Sequence, residues 1–455
     1  MAADDGGEVP RDRLSDLPDA ILVSILSLIP LDEAARCTVL ASRWRRLFSP
    51  TLLLDFSAYM PSRRNVLKAV NSVLAAYPTA PVRSFRADRR FRVDKDTSDG
   101  GWLQELARRG LQELSLDFDL YESQRRIPAP LFACASLTRL RASHCTFPEI
   151  PDAGAGAAPP LACLTEIDLW HVTISEESLN VLLSECTALE RVNMQGMGRF
   201  GRVHVRSPSL KILNCDGKID ELFIEYAPSL EWVHGRYMYH KAASEEGVRL
   251  TVAHAPKLEF LGYLGMNFQA IEFGQTIFTE HQIHVKTLMP SLKTLAIKVS
   301  YTRDGYINWI MQLLHLFPCL ETLYIRSDSW SVIQDPAPDS WDVLRHVPCV
   351  DNHLEKVVFE VYRGHEWQRE MAKFLHGGSR FLKAMEFHCM DDSSPPGHFT
   401  RPSIEWVRKQ HELLCLDSRA SKDARFLFFK GQLVCNHLDI CHHEWYKRTY
   451  YDNLY

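Results

Sequence analysis

The chain has 455 residues, 46% of them hydrophobic and 24% charged, with 52 Lys and Arg against 57 Asp and Glu for a net charge of −5. This is the composition of an ordinary globular protein, long enough for two or three units, and it excludes a globally basic surface for nucleic acid or an anionic membrane. No apolar run reaches the roughly 18 residues of a membrane span, so neither nucleic acid nor membrane is expected as a partner. Twelve cysteines stand singly with no C-x-x-C pair, which reads as reduced, buried thiols. The acidic start MAADDGGEVPRDR reads as neither a signal nor a transit peptide, and the expected location is cytoplasmic, nuclear or both.

Residues 1–13 read as a disordered tail. Pro18 then opens a helix, with Asp16 and Asp19 at its N-terminal end, and Ile21, Leu22, Ile25, Leu26 and Ile29 form one apolar stripe along it. Pro30 stops that helix. Asp32 and Glu33 open a second one carrying Cys37, Val39 and Leu40, and Ser42 to Arg46 begin a short cationic third. A three-helix unit of about 35 residues has too little interior to bury this much apolar surface, so a partner or the rest of the chain must cover the surplus.

Leu17-Pro18, the Ile/Leu pairs and Arg43-Trp44-Arg45 resemble an F-box, the adaptor-binding module of cullin-type ubiquitin ligases. The resemblance implies Leu17, Pro18, Ile21, Leu22, Ile25, Leu26, Val39 and Trp44 as the positions that dock a Skp-type adaptor and, through it, a cullin. Trp44 with Leu17-Pro18 is the expected hot spot, because aromatic anchors in desolvated pockets carry most interface energy. Ile25 and Val39 are the positions best suited to serving the module's own core instead.

Residues 51–56 read as a strand and 63–77 as a helix with Val66, Ala69, Val70, Val73 and Leu74 inward. A repeat of the form Leu-x-x-apolar-x-apolar follows, beginning at Leu111, Leu137, Leu164, Leu189, Leu210, Leu230, Leu258, Leu292, Leu320, Leu354 and Leu382. Its intervals of 20 to 34 residues lie mostly in the leucine-rich-repeat range, in which short strands stack because none can bury its leucines alone. Some returns are helical, as at 176–185 and 306–317, whereas 201–206 looks extended, so the solenoid is expected to be irregular.

The segments LTEIDLWHVTISEESLNVLLSECTALERVNM and HLEKVVFEVYRGHEWQREMAKFLHGGSRFLKAMEFHC resemble the long repeat and the FBD core of plant F-box proteins with leucine-rich repeats. The implied fold is α/β: a three-helix F-box at 14–50, an irregular solenoid at 51–350 with a curved parallel sheet and helical or extended returns, an FBD-like region at 351–424, and a C-terminal cap at 425–455.

Other motifs fail on context. Gly196 to Gly201 fits G-x-G-x-x-G, but Arg202-Val-His-Val-Arg-Ser-Pro208 cannot supply the helix that holds a pyrophosphate, and a glycine turn between repeats is expected. Asp94, Asp96, Ser98 and Glu105 match part of a calcium loop but lack its glycine and entering helix. Cys435, His437, Cys441, His442 and His443 lack paired zinc spacing. His376-Gly-Gly-Ser379 reads as a helix C-cap with Gly377 or Gly378 left-handed. No catalytic constellation, metal or cofactor is expected.

Strand alternation places Arg139, Arg141, Glu166, Asp168, Trp170, Arg191, Asn193, Trp232, His234, Arg236, Phe260, Tyr324 and Arg326 on the open face. Arg139, Asp168, Trp170, Arg191, Trp232, His234, Arg236, Phe260, Tyr324 and Arg326 form the expected target-binding set, since aromatic rings with arginine are what interface cores favour. The expected function is that of a non-catalytic substrate receptor of a Skp–cullin–F-box ubiquitin ligase, which binds a target protein and presents it for ubiquitin transfer. The alternatives are a non-ligase scaffold, or a small-molecule or hormone sensor, which would need a deep apolar pocket with a few convergent polar groups.

Overall fold

All eleven repeat leucines, from Leu111 to Leu382, are exposed by 1% or less, and a strand starts two residues after each of them. Burying each such side chain contributes about 1.5–3 kcal/mol, which is why the repeat and not local propensity sets the architecture. The structure, a computed structural model, describes residues 16–29, 36–37, 39, 42–48, 53–56, 66–87, 101–118, 125–150, 160–235, 247–265, 268–279, 283–284, 287–299, 306–327, 346–389 and 403–430. The chain divides into two units, Met1–Gly198 and Arg199–Tyr455.

The first unit begins with α1 (Asp19–Leu28), which starts directly after Pro18 as the sequence predicts, and α2 (Ser42–Phe48). Positions 36, 37 and 39 are helical, but most of the expected middle helix lies outside the described residues. Next come β1 (Leu53–Phe56), α3 (Val66–Ala76), β2 (Ser84–Ala87), α4 (Gly101–Arg108), β3 (Glu113–Asp117), β4 (Arg139–Ser143), β5 (Glu166–Trp170), α5 (Glu176–Glu185) and β6 (Arg191–Arg206), of which the part up to Gly198 belongs to this unit. Strands β1 to β6 pair in chain order, each parallel to the last. Parallel pairing demands a crossover, and α5 supplies one, burying Leu179, Leu182 and Leu183 as its spacing predicts and capped by the Ser175 hydroxyl. Arg109 ties the early crossovers together: its guanidinium donates to Leu74 O at 2.9 Å and Tyr77 O at 2.6 Å, carbonyls at the C-terminal end of α3.

The second unit contains β7 (Ile212–Tyr226), β8 (Trp232–His234), β9 (Val248–Val252), β10 (Phe260–Gly265), β11 (Phe268–Phe273), β12 (Thr276–Thr279), β13 (Ile283–His284), β14 (Thr294–Val299), α6 (Tyr306–His315), β15 (Thr322–Ser327), α7 (Pro348–Asn352), β16 (Lys356–Tyr362), α8 (Glu366–Gly378), β17 (Ala384–Cys389), α9 (Ile404–Leu413) and β18 (Arg425–Lys430). Its main ladder is parallel throughout, in the order β7-β8-β10-β14-β15-β16-β17-β18. The far half of β7 feeds a second sheet, parallel to β9 and then β11, which turns antiparallel through β12 and β13. Here the returns are strands, as the extended reading of 201–206 anticipates. Leu222, Ile224, Leu250, Val252, Ile271, Phe273 and Phe278 on this second sheet are all buried, and Phe273 and Phe278 meet Phe317 and Trp309 edge-on. The result is an irregular leucine-rich-repeat solenoid of mixed α/β class.

Three expectations about glycines and the tail are corrected. The run 196–201 is not a turn, because β6 passes straight through it. Gly196 sits at φ +60°, and a Cβ there would lie 2.3 Å from the His171 ring, so the glycine serves a close approach within the strand. His144 and His171 hold the equivalent left-handed positions after β4 and β5, at φ 53° and 50°, and their rings stack at 5.1 Å. Gly377 and Gly378 are not a left-handed cap either. Helix α8 runs through both to an extended Ser379, and a Cβ on Gly378 would meet Val350 at 3.0 Å, so close packing against α7 is what asks for a small residue. Residues 425–430 add one more strand to the ladder rather than a separate cap, while 431–455, including the Cys/His cluster from Cys435, lie outside the described residues, as does the segment 94–98.

His376 on α8 is buried, and its Nε2 donates to Leu414 O at 3.0 Å. Burial lowers its pKa below the usual imidazole value. A depressed base favours the fold while neutral, so its contribution is complete above about pH 6.5 and is lost as pH falls from there through the folded value. The melting temperature should therefore drop further between neutral and mildly acidic pH in the native chain than in His376→Gln. Parallel pH profiles for the two chains would remove His376 as the cause.

Candidate functional site

Two kinds of surface carry the residues that the sequence singles out. On the helical pair, Arg43 Nε donates to Asp19 Oδ1 at 2.8 Å and Nη2 to Leu17 O at 2.6 Å, which fixes α2 across the N-terminal end of α1. Leu22, Leu26 and Trp44 are buried, Trp44 at 6% exposure. Leu17 and Ile25 are half-buried, whereas Pro18, Ile21 and Val39 face outward, Ile21 at 46% and Val39 at 82% exposure. The expectation that Val39 serves the interior is thus corrected. Two residues along a helix is a rotation of about 200°, so the side that half-buries Cys37 turns Val39 out.

On the first unit's sheet, Arg139, Asp168, Trp170 and Arg191 all lie on the open face, with Leu140, Ala142, Ile167, Leu169, Val192 and Met194 turned inward. In register they form charge rows: Glu113, Arg139, Glu166 and Arg191, then Ser115, Arg141, Asp168 and Asn193. Arg139 pairs with Glu113, Arg141 lies 3.3 Å from Glu166 and 4.0 Å from Asp168, and Asn193 Nδ2 donates to Asp168 at 2.8 Å. Burial pushes the Asp168 carboxyl up to about 6, with Arg141 and Asn193 opposing it.

The second unit gathers the remaining residues into one patch. Trp232 lies flat on Phe260 at 3.5 Å between ring centroids, and His234 packs against Phe260 and Tyr263. Trp232 and Tyr324 pack on a buried floor of Phe260, Tyr263 and Ala296. Phe260, at 1% exposure, is therefore a support for Trp232 and not a contact surface in its own right. Arg326 lies 3.7 Å from Glu360. Arg236 is outside the described residues.

Sequence alternation misses Tyr263, and the cause is local. The register of β10 slips between Leu261 and Leu264, a bulge that brings Tyr263 to the open face. Gly262 makes room there, since a Cβ would lie 2.4 Å from the methyl of Ala296. The Tyr263 hydroxyl then spans β14 and β15 and donates to the Glu360 carboxylate on β16 at 2.6 Å. Glu360 and Glu386 are legible by the same alternation, as the outward positions of VVFEVY and AMEFHC. His388 first, and then Lys356, hold the Glu386 carboxyl below the usual carboxylate range. Among the described residues, no group of three His, Cys, Asp or Glu side chains could hold a metal ion, and no helix is long and apolar enough to cross a membrane. What these faces offer chemically is binding: aromatic area, paired charges and hydrogen-bond donors.

Comparison with known proteins fits this geometry. A family model described as FBD-associated F-box protein At5g56370, LRR repeats, matches residues 100–325, and the FBD model matches 345–387, the span of α7, β16, α8 and most of β17. The chain belongs to the F-box/FBD/LRR-repeat family. F-box/FBD/LRR-repeat protein At1g13570 of Arabidopsis thaliana is 31% identical over 232 residues, covering 49% of this chain and 53% of that protein. The chain thus spans about half the length of that relative. F-box/FBD/LRR-repeat protein At5g56420 of the same plant is 25% identical over 393 residues, covering 80% of this chain and 88% of that protein. A chain in a crystal structure of a TLR13–ssRNA13 complex is similar over 72% of this chain and 46% of its own at a TM-score of 0.33 and 16% identity, too slight a likeness to carry an argument. In this chain the FBD region is part of the solenoid: β16 and β17 continue the parallel ladder of the repeats without a break in pairing type, and β18 extends it.

Proposed function

We propose that the chain is a substrate-recognition subunit of a Skp–cullin–F-box ubiquitin ligase and has no catalytic role of its own. The α1–α2 pair docks a Skp-type adaptor and, through it, a cullin, while the open faces of the repeats hold a target protein. Holding the target makes ubiquitin transfer to it effectively intramolecular. The observation that carries this reading is the division of labour on the helical pair. Leu22, Leu26 and Trp44 hold it together, and Pro18, Ile21 and Val39 remain outward as an apolar surface. The filled floor under Trp232 supports a protein target over a small ligand, because Tyr263 and Ala296 occupy the depth that a pocket would need.

A pull-down of the full chain, read for a Skp-type adaptor and a cullin, tests the reading against Leu17→Ala with Pro18→Ala. Capture by the native chain and loss in the double variant is expected. If the native chain captures neither protein, the receptor reading is wrong and the repeats act as a scaffold without a ligase.

A further inference from the structure

The last strand of the second unit's ladder is half open. On the inner side, Val357 of β16 and Met385 of β17 share one fully buried row, and Phe359 and Phe387 share the next at 1% exposure or less. Strand β18 continues both rows with Phe426 and Phe428, yet these two rings are only half-buried, and Phe429 on the other side is 42% exposed. Helix α9 covers Phe428 from one direction, with Trp406 and His411 at 6.3 and 5.3 Å between ring centroids. What the rings lack is a further strand: among the described residues, β18 pairs with β17 and with nothing on its other flank. Arg425 N donates to Lys383 O at 3.0 Å, so alternation turns the main-chain groups of Phe426, Phe428 and Lys430 away from β17. The register with β17 is unbroken over all six residues, charge stands only at Arg425 and Lys430, and neither a proline nor a bulge guards the edge. An edge this regular and apolar is a template for another strand.

We propose that the chain's own next segment, residues 433–437, occupies this edge as an antiparallel strand. Gly431-Gln432, directly after β18, is a two-residue Gly-X link of the kind that closes a tight hairpin. Such a link is flanked by two residues that exchange both main-chain hydrogen bonds. Lys430 has the parity for this, because its N–H and C=O point to the free flank. Leu433 then stands opposite Lys430, Val434 beside the exposed Phe429, Cys435 beside Phe428 and His437 beside Phe426. Cys435 thereby extends the row of Phe359 and Phe387, and His437 the row of Val357 and Met385. A two-residue tether makes the pairing intramolecular, which gives this segment the advantage over any separate extended peptide. With the edge closed, a target meets the open faces of the repeats instead of adding a strand at their end.

Amide hydrogen exchange read at single residues tests this on the full chain, on a chain ending at Lys430, and on Cys435→Pro in the full chain. In the full chain the Phe426 and Phe428 amides should be protected about as well as those of Leu427 and Phe429, which face β17. Truncation should speed exchange at Phe426 and Phe428 about tenfold or more and change Leu427 and Phe429 less. Cys435→Pro removes an N–H that would bond to Phe428 O, and it should speed the same two amides with every other residue retained. That variant keeps the test decisive if the shortened chain fails to fold. Fast exchange at Phe426 and Phe428 in the full chain means a bare edge and overturns the proposal, as does slow exchange that neither variant alters. Protection that fades on dilution assigns the edge to a second copy of the chain and overturns it equally.

Discussion

Phe387→Ala costs the second unit about 3–5 kcal/mol of stability. Phe387 is fully buried on β17, stacked with Phe359 of β16 at 5.4 Å and Phe428 of β18 at 4.6 Å, and Tyr362 closes on it at 4.6 Å. Each of three neighbouring strands contributes a ring to this pile, so truncation leaves a cavity that no single side chain can refill, and the cavity adds to the lost transfer energy. The Tyr362 hydroxyl is committed to Gln410 Oε1 on α9 at 2.9 Å, which restrains it from moving into the gap. Urea denaturation followed by circular dichroism reads the loss. Phe387→Leu, which keeps most of the volume, should cost clearly less. Equal costs for the two, or a cost under about 1 kcal/mol for alanine, would show that the pile is not a unit of stability.

The second large effect falls on the helical pair and separates two roles. Trp44→Ala should weaken adaptor capture by about 2 kcal/mol or more. Since Trp44 is buried with Leu22 and Leu26, the loss should come with local unfolding of α1 against α2, seen as faster amide exchange there. Ile21→Ala with Val39→Ala should weaken capture comparably while exchange stays native-like, because both side chains already face outward. If the outward pair leaves capture intact, the docking surface lies elsewhere on the module; if Trp44→Ala weakens capture without altering exchange, Trp44 is itself a contact.

The parallel ladder was legible because its signal is one-dimensional. Leu-x-x-apolar spacing writes a buried leucine and an alternating strand into each repeat, and every one of those strands is present. Helices α5 and α6 were legible from their apolar faces for the same reason, as was the strand–helix–strand order of β16, α8 and β17. The open-face residues were legible by parity alone: Trp170, Trp232, Tyr324 and Arg326 stand where alternation puts them. Parity cannot say which outward ring is contact and which is floor, and by parity alone Phe260 is equivalent to Trp232.

What the sequence determined, then, is the eleven repeat strands, the side that most of their residues face, and the family to which the chain belongs, because these depend on spacing within one repeat; β2 and β18 join the same ladder without a repeat leucine to announce them. Tertiary structure alone decided the rest. The slip in β10 turned Tyr263 onto the face and carried its hydroxyl to Glu360, a contact between residues 97 positions apart that no periodicity encodes. The helix rotation that exposes Val39, and the approach of Val350 that keeps Gly378 small, are likewise set by which neighbour arrives at what distance. Spacing within a repeat fixes direction, but contact distance between repeats is a property of packing, and packing is settled only when all the neighbours are in place.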